Sequence, residues 1–309
     1  MGFAGGGSGS DLAAACCHFN PFHTAQRVRN YRRFRSLLKQ SGVRLLTVEL
    51  AFGDDPFELP DGPDAVRVRG GDIMWQKERL LQLGGERLLD EGCRKLVFLD
   101  ADVIFENNDW PVLVSRALDR WPVVQCFSRA TRKYTDTVRL QDSSVKAFLE
   151  SGALLRGAKG IAWAMTADVF AKAGLFQHCI VGGGDAALCC AALGLAHGED
   201  AWERSLRHLG FIRHAGAALL ARYRNWAGMF HEAARGNCGF VDQAVLTMSC
   251  GTYAGRSYQE RHHLLADFDP SREVAIQASG AFCWTPAGRA RQPGVERYLR
   301  SREASDVLA

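Results

Sequence analysis

The chain has 309 residues, 47% of them hydrophobic and 23% charged, so it can bury a core without disulfides or structural metals. Its 38 basic and 34 acidic residues are spread along the whole length and give a formal charge of +4. This balance excludes a dominant basic arm or acidic tail, and it favours a small anionic ligand over a nucleic-acid surface as the partner.

The first ten residues are rich in glycine and serine, and we expect residues 1–10 to be a flexible start without the features of a secretory signal. No later apolar run approaches the roughly 18 residues of a membrane-spanning segment. The ten cysteines lie mostly in apolar runs and never as a CxxC pair. We therefore expect reduced core cysteines in a cytoplasmic protein.

From residue 11 onward, apolar runs of strand length alternate with helix-periodic segments, which is typical of a mostly parallel sheet covered by helices. This pattern predicts a single α/β domain over 11–309 that is related to the Rossmann folds. The predicted strands are 12–19, 43–50, 65–68, 95–105, 123–127 and 160–165. The predicted helices are 27–39, 74–83, 110–120, 167–173 and one that runs from residue 185 to 194, followed by a mostly helical segment over 197–236.

The predicted strand 95–105 is apolar on both faces except for Asp100 and Asp102 near its carboxyl end. Burying two unpaired carboxylates costs several kcal/mol, so a positive partner must meet them. In an extended chain the two side chains point to the same side, where they can hold Mg²⁺ or Mn²⁺ while a diphosphate supplies further oxygens. Alternatively, one carboxylate caps the following turn and the other pairs with an arginine.

Ligands of open α/β sheets bind beyond the carboxyl ends of the strands, so residues just after each apolar run are candidates for a site. Phe19, Asn20 and Pro21 end and follow the first strand, and Glu49 lies at the end of the second. Further along, three glycines at 182–184 permit close backbone approach and lead into Asp185 at the start of a helix. Asp185 is therefore either a general base for a substrate hydroxyl or a helix cap.

Taken in order, several motifs resemble those of the GT-A-fold glycosyltransferases of bacteria and viruses. The motifs are Phe19-Asn20-Pro21, Arg29-Asn30-Tyr31, Trp75-Gln76-Lys77-Glu78-Arg79, Asp100-Ala101-Asp102 and Gly182-Gly183-Gly184-Asp185. The stretch 160–185 also resembles the carboxyl-terminal signature of galactosyltransferases and polypeptide N-acetylgalactosaminyltransferases. The resemblance covers nearly the whole chain and implies a GT-A-like fold, with about 11–125 binding a nucleotide sugar and about 126–309 binding the acceptor.

The resemblance further implies transfer of a sugar from a nucleoside-diphosphate sugar, with UDP-sugars favoured, to a hydroxyl of a carbohydrate or glycoconjugate. The residues it places around this donor are Phe19, Asn20, Pro21, Glu49, Trp75, Lys77, Glu78, Asp100, Ala101, Gly183 and Gly184. Asp100 and Asp102 would hold Mn²⁺ or Mg²⁺, and Asp185 would be the base. The competing interpretations are that Phe19 and Trp75 are core aromatics and that Lys77 and Glu78 form a solvated helical face.

The chain departs from the pattern late in the sequence, where relatives commonly place a histidine that completes the metal shell. The corresponding stretch 247–251 has no histidine and offers Cys250, whose soft thiolate suits Mg²⁺ poorly. Water, His231, His262 or His263 could take that place. Arg129, Arg132 and Lys133 could face phosphates or form a solvated loop.

Two other functions stay open. One is a sugar nucleotidyltransferase, although the first strand is not followed by the glycine-rich basic loop expected of one. The other is a catalytically degenerate module that binds a nucleotide sugar without turning it over.

Overall fold

A seven-stranded, mostly parallel sheet lies at the centre of the fold in a computed structural model, which describes residues 11–152, 157–196, 210–249, 251–258 and 260–304. In order across the sheet, its strands are β10 (Cys238–Phe240), β6 (Val123–Gln125), β9 (Ala162–Thr166), β4 (Lys95–Leu99), β1 (Leu12–Phe19), β2 (Arg44–Ala51) and β3 (Ala65–Arg69). Strands β4, β1, β2 and β3 are parallel, β9 runs antiparallel between β4 and β6, and β10 is parallel to β6. The expected mostly parallel α/β sheet covered by helices is therefore confirmed.

The helices are α1 (Ala25–Leu38), α2 (Lys77–Asp90), α3 (Trp110–Leu118), α4 (Ser144–Ser151), α5 (Ala167–Ala173), α6 (Gly184–Ala192), α7 (Gly210–His214), α8 (Ala217–Ala233), α9 (Pro270–Glu273) and α10 (Gln292–Ala304). The segment expected to be helical over 197–236 thus contributes α7 and α8, and its residues 197–209 lie outside the described residues.

Strand β1 is buried on both faces, because its run of small apolar residues lets helices approach from either side. Ala13 and Ala15 belong to the core on the side of α2, whereas Leu12, Ala14 and Cys16 belong to the core that contains α1 and α3. The fit against α2 is close: a methyl group added at its Gly84 would lie 3.1 Å from the Cβ of Ala15. The nine cysteines of the described ranges are free thiols.

The prediction of one continuous strand over 95–105 is wrong. Strand β4 ends at Leu99, the chain turns through Asp100 and Asp102, and β5 (Val103–Phe105) begins in a different sheet. The turn is closed by the amide of Val103, which donates to the carbonyl of Asp100 over 3.2 Å. The two carboxylates are therefore presented by a turn, and the alternation of an extended strand does not apply to them.

A smaller sheet with the order β5-β11-β7-β8 packs beyond that turn. It contains β11 (Ala244–Thr247) and the hairpin of β7 (Arg129–Lys133) and β8 (Val138–Asp142), where the sequence predicts only a basic polar segment. A two-stranded ribbon of β12 (Val274–Ile276) and β13 (Phe282–Trp284) completes the described strands. Among the described helices, none combines the length and apolar character needed to cross a bilayer.

Candidate active site

A cavity of about 430 Å³ opens at the carboxyl ends of β1 and β4, within the size range of small-ligand sites. Strand β9 starts at the same edge, because it is antiparallel to β4 and its Ala162 pairs with Leu99. The small sheet and α10 form other walls. Of the residues predicted for the site, the cavity is lined by Phe19, Trp75, Lys77, Asp100, Ala101, Asp102, Gly183 and Asp185.

Lys77, the first residue of α2, joins two of the predicted carboxylates. Its Nζ lies 2.7 Å from Oδ1 of Asp100 and 2.8 Å from Oδ1 of Asp185. Burial would lower the pKa of Lys77, but the charges of Asp100, Asp185 and Glu78 outweigh it and raise that pKa well above its usual value. The end of β4 and the start of α6 are thus held together by one buried ammonium group, so Lys77 is not part of a solvated helical face.

Asp100 and Asp102 have different surroundings. Besides Lys77, Asp100 binds Ile161, whose amide donates to Oδ2 of Asp100 over 3.2 Å. Burial and the charge of Asp100 raise the pKa of Asp102 to about 6, although Arg256 and Arg132 act in the opposite direction. The two carboxylates therefore repel each other, and a divalent cation bound between them would relieve that repulsion.

The donor set fits such a cation only in part. Within the described ranges, no group of three or more His, Cys, Asp or Glu side chains is placed to hold a metal. Cys250, the candidate to replace the missing histidine as a metal ligand, lies outside the described residues. His262 lines the same cavity, whereas the ring of His263 packs against that of His214 with their centroids 3.9 Å apart. Asp100 and Asp102 could therefore hold Mn²⁺ or Mg²⁺ if phosphate oxygens or water supplied its remaining ligands.

The glycine run places Asp185 without making it a cap. Gly182 and Gly183 have φ of +83° and +111°, values that side-chain-bearing residues rarely adopt, and α6 begins at Gly184. Asp185 is the second residue of α6 and makes no capping hydrogen bond, since its carboxylate binds Lys77 instead. A methyl group at Gly160 would collide with the Asp185 carboxylate, so a bare backbone is needed on that side as well.

Glu78 lies behind the cavity rather than in its wall. It is only 5% exposed, and it borders a separate space of about 30 Å³ together with Asp100 and Asp185. Burial raises the pKa of Glu78 to about 8; Lys77 opposes this rise, whereas the Asp185 and Asp100 charges add to it. Its Oε2 has no hydrogen-bond partner among the described residues. A methyl group at Gly184 would collide with this carboxyl group, which accounts for the third glycine of the run.

We expect Glu78→Gln to stabilise the protein at alkaline pH. Between its ordinary pKa of 4.5 and about 8, the folded protein keeps a proton on Glu78 that the unfolded chain releases. The stability of the parent therefore falls as pH rises through this window, by at most about 1.4 kcal/mol per pH unit from this group, and glutamine removes that loss. Denaturant unfolding at several pH values measures the effect.

The matched control for this experiment is Glu86→Gln, which changes an exposed glutamate on the same helix. It should leave the pH dependence of stability as in the parent. If the Glu78 variant follows the parent at every pH from 5 to 9, the burial of a protonated Glu78 is wrong.

Three residues predicted around the nucleoside are not in the cavity wall. Glu49 is buried at the end of β2, where its carboxylate accepts the backbone amides of Glu58 and Leu59 and pairs with Arg67 at 3.3 Å. Asn20 donates to the Glu58 carboxylate over 2.9 Å and, with the neighbouring Pro21, shapes the turn before α1. In this structure these residues organise loops next to the site.

The aromatic residues Phe19 and Trp75 do line the cavity. Their rings meet edge to face with centroids 5.4 Å apart, and the guanidinium group of Arg302 lies 4.3 Å from the Trp75 ring. Trp75 is thus held between another aromatic ring and a cation. Trp75 therefore lines the cavity and has the Arg302 guanidinium group as a polar neighbour.

The cavity wall also contains a group of basic and tyrosine side chains that the sequence did not indicate, contributed mainly by residues after 250. These are Arg256, Tyr258, Arg261 and Arg302, which join the previously noted Arg132 in lining the cavity. Interleaving of arginine with tyrosine over 253–261 was the available signal. It was easy to overlook, because neither helical nor strand periodicity accompanies it.

No family model matches the chain, and no curated protein matches its sequence. Several solved structures are distantly similar. One is a Desulfovibrio desulfuricans protein provisionally named a nucleotide-diphospho-sugar transferase, with 11% identity, a TM-score of 0.33, and coverage of 94% of this chain and 96% of that one. Another is a hypothetical transferase of Thermus thermophilus, with 12% identity, a TM-score of 0.32, and coverage of 75% and 92%.

A third similar structure is a Bacillus anthracis protein provisionally named a glucose-1-phosphate thymidylyltransferase, solved with sucrose. It shares 10% identity, with a TM-score of 0.36 and coverage of 87% of this chain and 98% of that one. Likenesses at these TM-scores carry no functional argument. The function must therefore be argued from the cavity itself.

Proposed function

We propose that the chain is a GT-A-type glycosyltransferase that moves a sugar from a nucleoside-diphosphate sugar, with UDP-sugars favoured, to a hydroxyl of a carbohydrate or glycoconjugate. The observation that carries the proposal is the bridge from Asp100 through Lys77 to Asp185 at the carboxyl end of the sheet. The same cavity thus contains the neighbouring carboxylates of Asp100 and Asp102, our candidates for binding a metal, and the separate carboxylate of Asp185.

The two ends of the bridge suit the two partners of a glycosyl transfer. In the reaction, the acceptor oxygen forms a bond to the anomeric carbon while the bond from that carbon to the phosphate oxygen breaks. The electron pair of the broken bond leaves with the nucleoside diphosphate, and the acceptor proton passes to a base. Asp185 borders the cavity from the first turn of α6 and is our candidate for that base.

Asp100 and Asp102 are the candidate ligands of Mn²⁺ or Mg²⁺. Bound there, the metal would neutralise charge on the departing diphosphate. Lys77 adds a fixed positive charge between the two ends of the site, and it keeps Asp185 and Asp100 in a constant relative position. Phe19 and Trp75 offer rings on which a base or sugar can pack.

A donor-hydrolysis panel tests the proposal. UDP- and GDP-sugars are incubated with the protein with and without Mn²⁺, and released nucleotide is measured. We expect slow release of nucleotide from a UDP-sugar that requires Mn²⁺ and speeds up when an acceptor is supplied. Release of pyrophosphate from a nucleoside triphosphate and a sugar phosphate would instead identify a nucleotidyltransferase. Nucleotide-sugar binding without any turnover would identify a degenerate binding module.

A further inference from the structure

Besides the Lys77 bridge, the cavity wall contains several arginines, two of which, Arg132 and Arg261, donate hydrogen bonds to tyrosine hydroxyl groups. We call Arg132, Arg256, Tyr258, Arg261 and Arg302 the arginine–tyrosine cluster. Its members come from β7, the segment after Gly251 and α10, and all five line the cavity. Four guanidinium groups thus converge on one wall from separate parts of the chain.

Neutral phenols position these guanidinium groups. Nη2 of Arg132 donates to the hydroxyl of Tyr258 over 3.1 Å, and Nη1 of Arg261 donates to the hydroxyl of Tyr298 over 3.2 Å. The guanidinium group of Arg261 also lies 5.2 Å from the centre of the Tyr258 ring. In the described part of the chain, neither Arg132 nor Arg261 forms an ion pair with a carboxylate, and Nε of Arg132 has no hydrogen-bond partner.

The electrostatics of the cluster point to an anionic ligand. Although burial raises the pKa of Tyr258, the charges of Arg132 and Arg256 and its other neighbours lower that pKa to about 8. Arg132 and Arg261 are both half-buried in the cavity wall. A positive charge that is partly withdrawn from water without a carboxylate partner is costly, so Arg132 and Arg261 favour an anionic ligand.

We propose that the arginine–tyrosine cluster binds the diphosphate group of the nucleotide directly, without the metal ion. The inference rests on the proposed function for the identity of the substrate. Arginine forks match phosphate oxygens with paired N–H donors, and the cluster lines the same cavity as Asp102, the candidate ligand of the metal that would meet the diphosphate. The wall therefore compensates the charge that the diphosphate acquires as its bond to the sugar breaks.

The experiment is calorimetric titration of inorganic pyrophosphate into the full chain after removal of metal with EDTA. We expect the parent to bind pyrophosphate and to bind orthophosphate more weakly. Arg132→Gln and Arg261→Gln should each lower the pyrophosphate affinity roughly tenfold, the typical effect of losing a charged hydrogen-bonding group. The matched control is Arg29→Gln, which removes an exposed arginine of α1 that binds Gln26. It should leave the affinity unchanged.

If a glutamine variant unfolds at a lower temperature than the parent, Arg132→Lys is titrated in its place. The lysine variant keeps the positive charge and loses only the planar, two-pronged hydrogen bonding of the guanidinium group. Equal pyrophosphate affinity in the parent and in both arginine variants overturns the inference, as does equally tight binding of orthophosphate. If pyrophosphate binds but no sugar donor is turned over, the proposed transferase function is contradicted and the anion site is supported. Mn²⁺-dependent donor turnover, together with pyrophosphate binding that does not change in the Arg132 and Arg261 variants, would keep the proposed transferase and remove the anion site.

Discussion

Asp102→Ala is expected to lower the Mn²⁺-dependent affinity for UDP by about 100-fold or more while the protein stays folded. Loss of residues that merely support a metal ligand typically costs 10- to 100-fold, and Asp102 is proposed to bind the metal itself. The fold should tolerate the change, because the backbone carbonyl of Asp102 still accepts the amide of Met248 at 2.9 Å. The substitution also removes a buried carboxylate that repels Asp100.

The measurement is UDP affinity with and without Mn²⁺, compared with Asp109→Ala. Asp109 is exposed at the start of α3, makes no capping hydrogen bond and should behave as the parent. Since the described chain offers only two grouped carboxylate ligands, Mn²⁺ should bind weakly in the absence of nucleotide. An Asp102 variant with the Mn²⁺ dependence of the parent would refute the metal assignment. Tight Mn²⁺ binding without nucleotide would show that other ligands complete the shell.

The central sheet could be predicted from the sequence because its strands are continuous apolar runs. Strand β1 coincides with the predicted range 12–19, since a run of small apolar residues bounded by polar ones has few alternatives. The break after Leu99 could not be predicted in the same way. Hydrophobic pattern continues across Asp100 and Asp102, and only the geometry shows that the chain passes there from one sheet to another.

The site was predictable where a residue follows a central strand and unpredictable where tertiary contacts decide its role. The carboxylates of Asp100 and Asp185 lie close enough to accept hydrogen bonds from the same ammonium group of Lys77. Glu49 also ends a strand, yet its carboxylate is occupied by the amides of a loop whose path the sequence does not reveal. The arginine–tyrosine cluster unites segments more than a hundred residues apart, so no local pattern could identify it.

Asp185→Asn is expected to lower transfer by roughly 10²- to 10⁴-fold, the range typical of losing a general base, with little change in UDP affinity. The two side chains have nearly the same shape, and an asparagine oxygen can still accept a hydrogen bond from Lys77. The variant should therefore fold as the parent does. Its rate of transfer at saturating donor, measured with any acceptor that the parent uses, isolates the effect on the chemical step.

Asp168→Asn provides the matched control, because Asp168 is also the second residue of its helix and is exposed at the surface. If the value of Asp185 lay only in its negative charge near a helix start, the two variants would lose similar small amounts of stability and neither would lose activity. A selective loss of transfer in the Asp185 variant would instead assign the carboxylate to the reaction. Near-parental transfer by Asp185→Asn would leave this residue as a partner of Lys77 alone, and the base would have to come from elsewhere in the cavity.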